Sequence, residues 1–443
     1  MAKAQAKTKA KKAAPARVKL FKNLGKGKGQ QSVELVLDGK TVITTTAEPF
    51  SAGKAKKATV ANPEKAKAKY DAAVAAKRAE GYRELGEIDP PKVTVARNEE
   101  LEAALRENRD DAGPYLVYAD WLQGQGSAVG EMLVYAQRKK QKEALAIAKK
   151  VGLPGPDVAT FGWKHGLWQW LRLDNGIDWS DATWDPIPFA RSLFSSPLCM
   201  ALEELKIGML RWDFTDQPAV IKEAANHGWA KDLQRLTVGD VDSDIDMDHH
   251  QIGDVAKVIS KAFPNLTYLK LHSGSQEWRG KGETFGLTGF ELPKLKELVV
   301  ETCAMTPKRA KSIATASWPA LERMELWFGA RDRSGTAKVA DVFPIFDARR
   351  YPKLKHLALR NSELVTDIVR LLPGSTLAGQ LESLDLSMSI MSDADAAELA
   401  AEAAKFSSLK SLDVGDSYVY ATGFSALKKA FKGVKVLNKD PKE

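Results

Sequence analysis

Leu381-Glu382-Ser383-Leu384-Asp385-Leu386 and Leu409-Lys410-Ser411-Leu412-Asp413-Val414 are two copies of one hexamer, L-x-x-L-x-(L/I/V). Six more stand upstream, at 202–207, 233–238, 266–271, 295–300, 321–326 and 354–359, with Met324 filling the second apolar slot of the fifth. The eight starts are 31, 33, 29, 26, 33, 27 and 28 residues apart, and 434–437 reads as a truncated ninth copy. Self-similarity at a period of roughly 20–50 residues marks a repeat array. In each copy the three aliphatics point one way and the residues between them the other, the period-2 pattern of a strand. Helical patterns fill the gaps. Thr306-Pro307 is a cap and first turn ahead of Ala310, Ile313 and Ala314. Ser392-Asp393 opens the alanine-rich run to Ala403, and 252–259 and 424–431 follow the same spacing.

Strand plus helix at a mean near 30 residues resembles the ribonuclease-inhibitor-like class of leucine-rich repeats. The resemblance implies an α/β solenoid over 202–437. Family members usually turn the chain with Asn or Cys at the ninth position. Here that position holds Leu210, Val241, Gly274, Cys303, Gly329, Ser362, Ser389 and Ser417, so small residues largely replace the Asn ladder. Cys303 is then most simply a turn residue.

The outward positions of the strands form the concave face, where solenoids bind. Trp327 and Phe328 sit just past the fifth strand, and His272, Glu301, Glu325, His356 and Arg360 are expected around them. Exposed aromatics beside Arg have the composition of a protein-binding hot spot. The alternative is that Trp327 folds against a neighbouring loop. Asp385, Asp413 and Asp416 make the C-terminal end acidic, which suits a basic partner or the chain's own tail.

Over its 443 residues the chain carries a net charge of +9, unevenly placed. Residues 1–28 hold ten Lys/Arg and no acid, leaving 56 Lys/Arg against 57 Asp/Glu elsewhere. Residues 1–30 are expected to be a disordered basic tail. Its Lys/Ala/Pro composition resembles linker-histone tails. Through Lys7, Lys9, Lys11, Lys12, Arg17 and Lys19 it either makes weak, salt-dependent contact with nucleic acid or serves as a solubilising spacer. The Gly/Lys run 25–29 lacks the spacing of a phosphate loop.

Residues 31–90 read as a small α+β module. Asp38-Gly39 turns a hairpin between β-prone runs. Asn62-Pro63 opens a helix that stops at Gly81. Lys77, Gly81 and Tyr82 resemble the K-x-x-x-G-Y ending of WGR domains, known for DNA or protein contact beside ADP-ribosylation enzymes. The Trp-Gly-Arg triplet itself is absent.

Residues 95–150 carry Asn108-Arg109-Asp110-Asp111, then Leu116-Val117-Tyr118-Ala119-Asp120-Trp121-Leu122, then Gly130-Glu131. This resembles the bacterial repeat-companion domain, whose members sit beside repeats and imply no chemistry. A helical hairpin is expected, with Trp121 and Leu122 packed and Asp120 capping or bridging locally. Five tryptophans between Trp163 and Trp184 are expected to cap the solenoid at 155–201, with an aromatic ligand pocket as the alternative.

The alternating acids Asp240 to Asp248 with His249-His250 invite a metal, but EF-hand spacing fails at Met247 and Gly253, and no metal or cofactor is expected. No hydrolase, zincin or zinc-ribbon spacing occurs. Two cysteines, no apolar leader and no run of about 18 apolar residues point to a cytoplasmic protein without a membrane span. The expectation is a non-enzymatic bacterial interaction scaffold with an unidentified protein partner on the concave face. The alternative is a nucleic-acid-associated protein using the tail and the WGR-like module.

Overall fold

The computed structural model describes residues 15–23, 30–47, 53–84, 95–151, 160–173, 186–210, 215–241, 251–274 and 286–439. The chain forms two compact units, Met1–Ile88 and Asp89–Glu443.

In the first unit, strands β1 (Ala16–Asn23), β2 (Gln30–Asp38), β3 (Thr41–Ala47), β4 (Lys54–Thr59) and β5 (Arg83–Glu84) form one antiparallel sheet in the order β4-β3-β2-β1-β5. Gly39 turns the β2–β3 hairpin at φ +58°, a conformation glycine adopts without penalty. Helix α1 (Pro63–Ala79) has its N-terminus closed by Asn62, whose Oδ1 accepts the Lys65 amide at 2.8 Å. Its Tyr70, Ala73 and Val74 pack on Leu20, Val33, Leu35 and Tyr82.

β1 corrects the expected tail. Arg17 and Lys19 lie in a strand that pairs with β2 along its whole length. Arg17 and Lys19 alternating with Val18 and Leu20 masked a period-2 pattern. The tail lysines Lys7, Lys9, Lys11 and Lys12 and the 25–29 run lie outside the described residues.

In the second unit, helices α2 (Glu99–Glu107), α3 (Ala112–Gly124), α4 (Ala128–Gln137) and α5 (Gln141–Lys150) precede an eleven-stranded sheet. Its strands are β6 (Thr160–Lys164), β7 (Leu167–Leu173), β8 (Glu204–Ile207), β9 (Arg235–Val238), β10 (Tyr268–His272), β11 (Glu297–Glu301), β12 (Arg323–Gly329), β13 (His356–Ser362), β14 (Ser383–Asp385), β15 (Ser411–Asp413) and β16 (Lys435–Leu437). They are ordered as in the chain; β6 is antiparallel to β7, and β7 to β16 are parallel. The fold is mixed α/β, a large parallel sheet with helices between its strands.

The eight hexamers are β8 to β15, and the truncated copy is β16. Their middle apolar residues, Leu205 through Leu412, stand opposite one another in register. Each is at most 1% exposed. Burying a side chain of this kind is worth about 1.5–3 kcal/mol, realised only when the next copy covers it.

The turns past the strands use the expected small residues. Ser389 Oγ donates to Leu386 O at 2.7 Å and accepts the Met391 amide at 3.3 Å. Ser362 Oγ accepts the Leu364 amide, and Ser417 Oγ donates to Val414 O. Helix N-termini are also as expected. Thr306 accepts the Arg309 amide, and Ser392 and Asp395 cap reciprocally. The helix expected over 252–259 instead spans Ala256–Ala262, because Gly253 takes φ +74° ahead of it.

The Asn108–Gly130 motif is structural. Arg109 is buried and donates to the carbonyls of Arg106, Ala201, Leu202 and Asp232, fastening the helices to the entrances of β8 and β9. Asp110 pairs with Lys164, and Asp111 caps α3. A Cβ at Gly130 would lie 2.5 Å from Ala119 O, so the two small residues set the α3–α4 approach. Tyr118 and Leu122 are fully buried and Trp121 stacks on Tyr118. Asp120 is exposed and neither caps nor bridges among the described residues.

Candidate functional site

The face of the parallel sheet opposite the aliphatic core carries the residues between the leucines. On β12 the alternation continues past the hexamer: Met324, Leu326 and Phe328 are buried, while Glu325 and Trp327 turn outward. Phe328, expected in the binding patch, is 2% exposed and belongs to the core.

Trp327 is half-buried and tied to its neighbours. Its Nε1 donates to Glu325 Oε1 at 2.7 Å, and the Arg360 guanidinium on β13 lies 5.1 Å from its ring centre. Arg360 Nη1 donates to the same Glu325 oxygen at 2.9 Å, and Nε to Ser387 Oγ at 3.0 Å. Asp385 Oδ2 is 3.5 Å from Arg360 Nε. Indole, guanidinium and two carboxylates thus form one fixed cluster across β12 to β14. Arg360 presents a planar fork that suits both a π face and carboxylates.

Of the other expected residues, Glu301 follows Val300 on β11 as Trp327 follows its partner Leu326 on β12, and His272 stands opposite Glu301. His272 is 4% exposed, and its Nδ1 lies 2.8 Å from Glu301 Oε2. Lys270 Nζ binds the other Glu301 oxygen at 2.8 Å. Burial pushes the Glu301 carboxyl up, but the His272 and Lys270 hydrogen bonds outweigh it and hold it below the ordinary value. A buried His272 and a partly buried Glu301 therefore make a pair on β10–β11. His356 is set apart on β13 against Ser383 Oγ at 2.8 Å, its imidazole lowered by burial and by Arg323. Of the expected patch, His272 and Glu301 continue the row of Trp327 and Arg360 onto β10 and β11, His356 lies at the start of β13, and Phe328 is in the core.

A second aromatic cluster escaped the sequence reading. Trp170, Glu204, Arg235 and Tyr268 stand in register across β7 to β10. Lys206 Nζ lies 5.2 Å from the Trp170 ring centre, and the Arg235 guanidinium 3.8 Å from that of Tyr268. Gly162 makes room for Trp170, since a Cβ there would fall 2.1 Å from the indole nitrogen. Trp168, two residues earlier, points the other way, is fully buried and stacks on Phe161. One hairpin strand therefore both caps the core and contributes to the outward face. Only the strand register reveals the cluster, because its members are about 30 residues apart. Trp179, Trp184 and Trp212 lie outside the described residues.

Both cysteines are buried, and burial pushes the Cys199 thiol up. No group of three His, Cys, Asp or Glu able to hold a metal occurs among the described residues. The acidic loop from Asp242 to His250 lies outside them. No described helix is long and apolar enough to cross a membrane.

No protein-family profile and no curated protein matches this sequence. A crystal structure of a protein from Bacteroides fragilis, from a structural genomics consortium, is similar over 97% of this chain and 97% of its own, with a TM-score of 0.53 and 17% identity. That likeness concerns the fold. The structure of an LRR protein from Leptospira interrogans aligns over 57% of this chain and 74% of its own, with a TM-score of 0.19 and 14% identity.

Proposed function

We propose that the second unit is a leucine-rich-repeat solenoid that works as a non-enzymatic scaffold, binding a protein partner across its concave strand face. The repeating hexamer and the sequential parallel order of β7 to β16 support the solenoid reading. The observation that carries the function is the Trp327–Arg360–Glu325 cluster. A half-buried indole, already oriented by a hydrogen bond and a guanidinium, loses little conformational freedom on binding and offers a large contact area. The residue set is Glu325, Trp327 and Arg360, with Trp170, Arg235 and Tyr268 added. His272 and Glu301 extend the outward row onto β10 and β11, and Phe328 belongs to the core.

The helical segment with its Arg109 fastening serves as the N-terminal cap, in keeping with the likeness to repeat-companion domains. Photo-crosslinking tests the scaffold reading. A benzophenone side chain placed at Ala358, in the outward row between Glu325 and Asp385, captures the partner, whereas one at Glu398 on the helix side does not. Adducts from Glu398 alone contradict it.

A second reading, nucleic-acid association through the first unit, is favoured by how charge divides. Met1–Ile88 holds 20 Lys/Arg against 8 Asp/Glu, and the rest of the chain 46 against 49. A basic body of this kind binds polyanions by counterion release, with affinity falling steeply in salt. A salt titration of duplex DNA binding, with and without residues 1–14, tests it. The truncation stops there because β1 begins at Ala16. Absence of binding at low salt removes this reading.

A further inference from the structure

We propose that the outward sheet face takes an extended partner segment with acidic residues at one end and basic residues at the other, laid across the strands with its acidic end over β7–β10 and its basic end over β12–β15. This rests on the scaffold reading and adds the chemistry and direction of what is bound.

A single in-register row carries the proposal. Following the strand pairings from β7 to β15, it reads Arg172, Lys206, Thr237, Lys270, Val299, Glu325, Ala358, Asp385, Asp413. Three cations come first and three carboxylates last, with no exception to the order. Arg172 stands directly opposite Lys206, and Asp385 directly opposite Asp413. Like charges opposite one another on neighbouring strands repel, although Asp385 and Asp413 each also accept a turn amide, from Ser387 and Gly415 at 2.9 Å. Burial and then the Asp413 charge push the Asp385 carboxyl above its ordinary value, although the Ser387 hydrogen bonds and Arg360 pull the other way. Side contacts relieve the row only in part. Each cation has an acid beside it, Asp240 at 2.6 Å from Arg172, Glu204 at 3.8 Å from Lys206 and Glu301 at 2.8 Å from Lys270. Arg360 serves both Glu325 and Asp385, which leaves Asp413 without a cation of its own among the described residues. Aromatic surface lies along both halves, Trp170 and Tyr268 beside the cations and Trp327 beside the carboxylates.

Eight strand steps at about 4.8 Å span about 38 Å, the length of about twelve extended residues at 3.3 Å each. A segment of opposite charge order meets complementary charge at both ends of the row. Complementarity of this kind sets orientation and on-rate.

The test uses the full chain and two fluorescein-labelled peptides of about twelve residues and equal composition. One has a block of glutamates, a Ser/Gly spacer and a block of lysines. The other alternates glutamate and lysine around the same spacer. Anisotropy at low salt should show the block peptide binding at least about tenfold more tightly. Lys206→Ser together with Asp413→Ser should cut that preference at least threefold, and the basic N-terminus, intact in this variant, cannot account for the loss. Raising the salt on the unmodified chain should collapse the preference without relying on any variant. Equal binding of both peptides, or binding of neither, overturns the charge-order proposal. The scaffold reading is judged separately, by partner crosslinking from Ala358.

Discussion

The Arg360 guanidinium sits 5.1 Å from the centre of the Trp327 ring. That contact joins adjacent strands, so neither side chain moves without the other. Arg360 also reaches Glu325, the hydrogen-bond acceptor of the indole. Arg360→Ala should therefore free the indole as well as remove a charge. Trp327 fluorescence cannot be isolated among 11 tryptophans, so the check is a nuclear resonance for Nε1–H. It should shift and broaden in the variant. The melting temperature should change little, because half-exposed ion pairs contribute only about 0–1 kcal/mol.

Gly329 ends β12 at φ +70°, and a Cβ there would lie 1.7 Å from Cys303 O. The site demands glycine twice, for its conformation and for the close approach of two turns. Gly329→Ala should lose at least about 2 kcal/mol in urea denaturation. Gly433→Ala is the control, since φ +83° strains it but nothing lies within 4 Å. It should lose about 1 kcal/mol.

Arg109 holds three carbonyls at the entrances of β8 and β9. Arg109→Ala leaves these buried acceptors without their donor, a loss of about 2–4 kcal/mol. Arg109→Lys should recover less than half of it, because one ammonium cannot reproduce the forked geometry. Chemical denaturation of the two variants measures both.

Two carboxylates on the sheet respond to pH with opposite sign. Glu301 is held below the ordinary carboxylate value, as burial is outweighed by the His272 and Lys270 hydrogen bonds. Its contribution is present above the unfolded value near 4.3 and is lost as pH falls through the lower folded value. Glu301→Gln should flatten the acid limb of the stability curve. Asp385 is raised, by burial and then Asp413, against the pull of Ser387 and Arg360. Its ionisation favours the unfolded chain, so its contribution is lost as pH rises through the folded value. Asp385→Asn should be more stable than wild type at pH 7, with the gain vanishing toward pH 3. Melts across pH 3–8 decide both signs.

The repeat array was legible because its signal is redundant: the hexamers of β8 to β15 repeat the same three apolar slots, and one misread copy leaves seven. Local chemistry was equally readable at Asn62, Thr306 and Ser392, where a side chain caps a helix a few residues away. Reading failed where identity depends on distant pairing. β1 looks like tail until β2 supplies its partner. Phe328 looked like a neighbour of Trp327 on the surface, although period-2 alternation from Met324 already placed it inside. The Trp170–Lys206 and Arg235–Tyr268 contacts and the ordered charge row exist only in the register between strands, which no local window contains.

The scaffold proposal puts protein binding on the outward face around Trp327. The direct measurement is quantitative partner capture by the wild-type chain and by Trp327→Ala, with thermal melts of both run in parallel. Trp327→Ala should capture at least about tenfold less partner, as hot-spot truncation does, with the melting temperature within about 2 °C of wild type. Undiminished capture by the folded variant, or a variant that fails to fold because the indole belongs to the core, would contradict it.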